Sequence, residues 1–171
     1  MAVTTEAAIR DRIISLIIGL QPLVQTSLRF VKYRNEGGAN FRKWAKQNPA
    51  ACTRRVQVRR YHLDRTNDVC NTDVEARRVT FDAIVAYEQS QRWGADAALD
   101  RDDAMESDQK QIEHAIGRDG YGNFVGAFPN ASWLSAEADN SLTETFVETN
   151  DEDGVDFLVI RQTMRFYRST T

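Results

Sequence analysis

The chain has 171 residues, 42% of them hydrophobic and 27% charged, with a formal net charge of -3. That length suits a single domain, 1–171, and the composition excludes disorder as a global state. The longest mostly apolar stretch, Ile13 to Val24, is broken by Ser15, Gly19, Gln21 and Pro22, which excludes a membrane helix of about 20 continuous apolar residues.

The start, Met1 to Glu6, lacks the positive n-region of a secretory signal, so the expected setting is a cytoplasm with no membrane partner. Thr5 reads as a helix cap, with Glu6 at the positive end of the helix dipole. Ile9, Ile13, Leu16, Ile17 and Leu20 then define one helical face. Ile14 and Ile18 widen that stripe beyond what one sheet contact needs, so the helix is either deeply buried or meets another subunit along its flank. Gly19 and Pro22 end it.

Ser27 to Tyr33 reads as a strand that stops at the turn signal Glu36-Gly37-Gly38. Phe41, Trp44 and Ala45 suggest a short helix closed by Asn48-Pro49. Arg54 to Leu63 alternates, with Val56 and Val58 opposite Arg55, Gln57 and Arg59. The polar stretch Asp64 to Asp73 reads as a long loop leading to the clearest strand. There Arg77, Val79, Phe81, Ala83, Val85 and Tyr87 share one face, while Thr80, Asp82, Ile84 and Ala86 share the other.

A second helix follows the loop Glu88 to Ala98. Asp100 is its expected cap, Leu99, Met105, Ile112 and Ile116 its core stripe, and Gly117 its stop. Arg118 to Asn140 reads as loop. A closing hairpin runs from Thr143 to Glu148, through the turn Thr149 to Gly154, and back along Val155 to Tyr167. In its second strand Leu158, Ile160, Met164 and Phe166 alternate with Val159, Arg161, Thr163 and Arg165. This order predicts an α+β fold: a mostly antiparallel sheet of four to five strands with two main helices packed on one face.

Charge is strongly segregated. Arg29 to Arg65 holds eleven Lys or Arg against Glu36 and Asp64, whereas Glu137 to Asp156 holds eight acids and no base. Such a pattern suits a nucleic-acid patch, subunits that meet through opposite charges, or simply solvated faces. Cys52 and Cys70 are too few for a disulfide framework and lack metal-site spacing. They flank a predicted strand that rises about 3.3 Å per residue, which sets them beyond the roughly 7 Å reach of an internal bridge. A bridge between neighbouring subunits stays open to them.

Catalytic and cofactor motifs fail one by one. In Gly120 to Gly126 the third glycine falls one residue late for a dinucleotide fingerprint, and the run follows a helix instead of a strand. If Gly154 took the sixth place of an EF-hand loop, Ile160 would stand where a bidentate carboxylate is required. Glu113 and His114 are adjacent and point about 100° apart on a helix. Only two histidines, His62 and His114, are present. The expectation is a protein that is not an enzyme, with no cofactor and no metal.

Four stretches resemble a known family: Thr4 to Ile17 (TTEAAIRDRIISLI), Arg78 to Tyr87 (RVTFDAIVAY), Leu99 to Glu113 (LDRDDAMESDQKQIE) and Phe157 to Arg168 (FLVIRQTMRFYR). In pattern and order they are similar to the tail-terminator (tail-completion) proteins of tailed bacteriophages, of the lambda minor tail protein U type. The resemblance implies a homohexameric ring on the last ring of tail tube protein. That ring would end polymerisation and present a surface to head–tail connector or neck proteins, or to a sheath. DNA would pass through its channel without sequence readout, and the protein would reside in the virion after assembly in the bacterial cytoplasm. A head–tail connector or neck subunit is the neighbouring reading, and a nucleic-acid binder using Arg54, Arg55, Arg59 and Arg60 a third. Residues expected at subunit or partner contacts are Ile14, Ile18, Arg54, Arg55 and Arg59. To these are added Arg92 and Trp93 in one loop, and Asp151, Glu152 and Asp153 in another, with Cys52 and Cys70 as the intersubunit bridge.

Overall fold

The structure, a computed structural model, describes residues 6–34, 40–71, 74–89, 93, 96–117, 133–149 and 154–169. Within these, only the main chain is described for 6–8, 62–71, 74–77, 97, 133–143 and 166–169. The elements are α1 (Glu6–Ile18), β1 (Val31–Lys32), α2 (Phe41–Gln47), β2 (Arg55–Asn71), β3 (Val74–Glu88), α3 (Ala97–Ile116), β4 (Trp133–Glu148) and β5 (Val155–Ser169). A turn of 3-10 helix, Pro49–Ala51, follows α2. The strands form one mixed, mostly antiparallel sheet in the order β1-β2-β3-β5-β4, in which only the β1–β2 pair is parallel. The fold is α+β, as the element order predicts.

The alternation in β3 and β5 sorts the two faces. Val79, Phe81, Ala83, Val85 and Tyr87 join Leu158, Ile160 and Met164 against Ile9, Ile13 and Ile17 of α1 and Ala104, Met105, Ile112 and Ile116 of α3. Ile84, Ala86, Phe157 and Val159 face the other way, onto Phe41, Trp44 and Ala45 of α2. A pleated strand sends successive side chains to opposite faces, so two thin cores share one sheet. Burying a large apolar side chain contributes about 1.5–3 kcal/mol, which makes both cores substantial. On α2, the Asn40 side chain accepts from the Lys43 amide at 2.8 Å, occupying one donor that a helix start leaves free.

Several expectations change. Only Val31 and Lys32 of the predicted first strand are paired. The stretch expected as a long loop after Leu63 continues as strand, and β2 pairs with β3 out to Asn71 opposite Val74. Main-chain pairing does not require apolar side chains, so a polar run conceals a strand. β4 likewise begins at Trp133 instead of Thr143. Helix α3 starts earlier than expected, with Asp96 in the cap position and Asp100 in its first turn. Leu99 is 57% exposed and outside the core. At about 100° per residue it lies some 140° from Ile112 around the helix, so it was never in register with the stripe. The turn at Glu36-Gly37-Gly38, the cap Thr5 and the segment Gly120 to Gly126 lie outside the described residues.

Candidate subunit interface

Arg54 precedes β2 with φ of +48°, a left-handed conformation that turns its side chain inward. It is fully buried. Nε donates to Asp108 Oδ2 at 2.6 Å and Nη2 to Asp108 Oδ1 at 3.1 Å. Nη1 donates to the carbonyls of Gln25 (2.8 Å) and Leu28 (2.7 Å), and Nη2 also to that of Val24 (2.6 Å). All five guanidinium protons are thereby used. Tyr87 Oη donates to Asp108 Oδ2 at 2.7 Å, and the guanidinium sits 5.3 Å from the Trp93 ring centroid and 5.5 Å from that of Phe30. Trp93 is itself buried, its indole donating to the Glu88 carbonyl at 2.8 Å. Burial pushes the Asp108 carboxyl upward, partly opposed by Arg54 and Tyr87, and pushes the Tyr87 phenol well up.

Arg54 and Trp93, expected at a surface contact, are therefore internal. A charge that is fully hydrogen-bonded by its own chain has no donors left for a neighbour. The sequence does carry a signal for this pair: Asp108 stands four residues before Ile112, a carboxylate on the apolar stripe of α3.

Ile14 is also buried, at 6% exposure, while Ile18 reaches 37%. Cys52 is fully buried, its thiol 3.2 Å from the Asn48 carbonyl, and burial pushes its pKa up to about 12. A buried thiol of that acidity is a poor candidate for a bridge to another subunit, which corrects the expectation for Cys52. Cys70 belongs to β2, with only its main chain described. Arg92, Asp151, Glu152 and Asp153 lie outside the described residues.

Among the described strands, β1 with β2 and β4 stand at the two edges of the sheet. On one side, β1 pairs only with Arg55 and Val56. Val31 and Tyr33 donate to the carbonyls of Arg54 and Val56 at 3.0 and 2.8 Å. By alternation, the main-chain groups of Val58 and Arg60 point to this same side. Among the described strands, β1 is the neighbour of β2 on that side, and its register covers Arg55 and Val56. A groove of about 440 Å³ runs along this edge, walled by Arg10, Asp11 and Ile14 of α1, by Lys32, Tyr33 and Arg34, and by Val56, Gln57 and Val58. Three cations against one acid make it basic.

Beside the groove, on the α2 face of the sheet, Arg55 lies 5.5 Å from the Trp44 ring centroid. The Arg59 side chain is 48% exposed and 4.0 Å from Asp82 Oδ2. The buried Asp82 is held chiefly by Arg161, at 2.8 Å.

The opposite edge is β4, which carries Glu137, Asp139, Glu144 and Glu148 and no basic residue. Glu148 accepts both Nε and Nη2 of Arg42 at 2.9 Å. Glu144 reaches Arg161 at 3.5 Å and stays 63% exposed. Val147, nearly half exposed, adds an apolar contact. The chain's charge asymmetry thus becomes geometry: one edge basic, the other acidic.

Among the described residues no group of three His, Cys, Asp or Glu could hold a metal ion, and no helix is long and apolar enough to cross a membrane. No protein-family model matches the chain, and no curated protein matches it.

Proposed function

We propose that the protein is a structural virion subunit that closes head-to-tail into a ring of six and caps the tube of a phage tail. The ring ends tube polymerisation and presents its other face for joining to the head. The observation that carries the reading is the opposite charge of the two sheet edges, because heterologous contacts join one patch to a different patch and close into rings when the rotation allows. The tube itself comes from the resemblance of α1, β3, α3 and β5 to tail-terminator proteins. In this reading assembly takes place in the bacterial cytoplasm and DNA crosses the channel unread.

The test is electron microscopy of the purified protein, alone and mixed with polymerising tail tube protein from the same phage. Six-membered rings seated on tube ends, with shortened tubes, are expected. Tubes of unchanged length, or a stable monomer that binds DNA tightly at physiological salt, would overturn the reading. In the second case affinity should fall steeply with salt.

A further inference from the structure

We infer that residues 20–29, between α1 and β1, form a strap that opens as a unit while the sheet stays folded, with Arg54 as its latch. The inference is independent of both the ring and the tube.

Among the described residues, the strap donates two main-chain hydrogen bonds to carbonyls, from Leu20 to Ile17 at 3.1 Å and from Leu28 to Gln25 at 3.0 Å. Side chains tie it to the body. Arg54 takes the carbonyls of Val24, Gln25 and Leu28. Gln111 of α3 donates to the Gln21 carbonyl at 2.9 Å, and Gln25 Nε2 to the Trp93 carbonyl at 2.5 Å. Leu20, Val24 and Leu28 lie partly buried against the core, while Leu23 is 69% exposed. A segment held by a few side chains, outside any strand ladder, has the low local stability of units that open on their own.

Backbone strain gathers at the same place. Among the described residues, Gln25 and Arg54 are the two other than glycine with positive φ, +51° and +48°. A side chain makes that conformation costly, so it persists where the surroundings over-determine it. The two residues meet directly, Arg54 Nη1 donating to the Gln25 carbonyl at 2.8 Å. One guanidinium, anchored on Asp108 of α3, therefore grips three strap carbonyls at once. Releasing it undoes all three together and lets Gln25 leave its strained conformation, which makes the opening cooperative. The sheet does not depend on the strap, since β2, β3, β5 and β4 pair with one another. Elements that rearrange on binding are drawn from such units, so the strap is the part of the chain poised to be remodelled by a partner.

The experiment uses the full chain. Native-state amide exchange compares Leu28 with Val85 and Leu158 of the sheet at low denaturant, and trypsin probes the bond after the exposed Arg29, whose neighbour Phe30 is buried. Exchange at Leu28 and cleavage at Arg29 should share an opening that denaturant accelerates far less than exchange in the sheet. Val159→Ala, in the core on the α2 face, should speed sheet exchange about tenfold and leave the strap unchanged, because the open strap keeps the sheet intact. Arg54→Lys keeps the charge without the fork and should speed strap exchange and cleavage at least about tenfold.

A strap that follows the sheet, accelerating equally in Val159→Ala, opens only by global unfolding and overturns the inference. An Arg54→Lys protein with unchanged strap exchange removes Arg54 as the latch and overturns it too. Should that variant fail to fold, Gln25→Ala takes its place under the same criterion, and the wild type and Val159→Ala still decide whether the strap opens separately.

Discussion

Arg54 Nε lies 2.6 Å from Asp108 Oδ2 with neither side chain exposed, although 54 residues separate them in the chain. The pair joins the segment after α1, the entry to β2, the end of β3 and the middle of α3. It fixes α3 and the strand entry against each other.

Arg54→Met should destabilise the protein by about 3–5 kcal/mol, because it takes the guanidinium from a buried carboxylate and from three part-buried carbonyls. The double variant Arg54→Met/Asp108→Leu should recover only part of that loss, since the carbonyls of Val24, Gln25 and Leu28 stay unpaired. Urea denaturation measures both. A single-variant loss below about 1 kcal/mol would show that the network is dispensable.

The same substitution carries a pH signature. Burial holds the Asp108 pKa above its unfolded value. The native state therefore keeps a proton that the unfolded chain releases, and this group's contribution to stability falls as pH rises between the two values. Arg54 opposes that rise, so removing it extends the window upward. The stability gap between wild type and Arg54→Met should narrow as pH is lowered from about 8 towards 5. A gap that does not change with pH would contradict the assignment.

Cys52 should resist alkylation in the native protein. Its pKa near 12 leaves almost no thiolate at neutral pH, and its sulfur is covered. Iodoacetamide labelling followed by peptide mapping should modify Cys52 only after denaturant is added. Rapid labelling of the folded protein at this residue would refute its burial.

Gly154 adopts φ of +69°, where a side chain is strained whatever the space around it, and its carbonyl accepts from the Gln89 amide at 2.9 Å. Gly154→Ala should cost about 1–2 kcal/mol through that conformation alone. Thermal denaturation reads the change, and an unchanged midpoint would argue against the left-handed turn.

Much of this architecture is legible in the sequence where periodicity and burial coincide. The alternation of Val79, Phe81, Ala83, Val85 and Tyr87 against Ile84 and Ala86 assigns both faces of β3 correctly, because both faces are covered. The polar length of β2 beyond Leu63 is not legible, since strand pairing there satisfies the main chain whatever the side chains are. Charge misleads at Arg54 for a related reason. A basic residue among other basic residues looks solvated until Asp108, Tyr87 and three distant carbonyls converge on it. The opposite charges of the middle and end of the chain are visible as composition. That they fall on two edges of one sheet depends on strand order, which places β4 farthest from β2.

β1 contributes two residues beside a strand of seventeen, and that disparity has a bearing on fidelity. Main-chain hydrogen bonds do not distinguish a correct neighbour from a wrong one, so strand edges in general invite mispairing. In the proposed ring, the opposite charges of the two edges would choose between neighbours over a short range, about 8 Å at physiological ionic strength. Added salt would then act on fidelity before strength, since screening weakens the repulsion of mismatched edges while the backbone stays as adhesive as before.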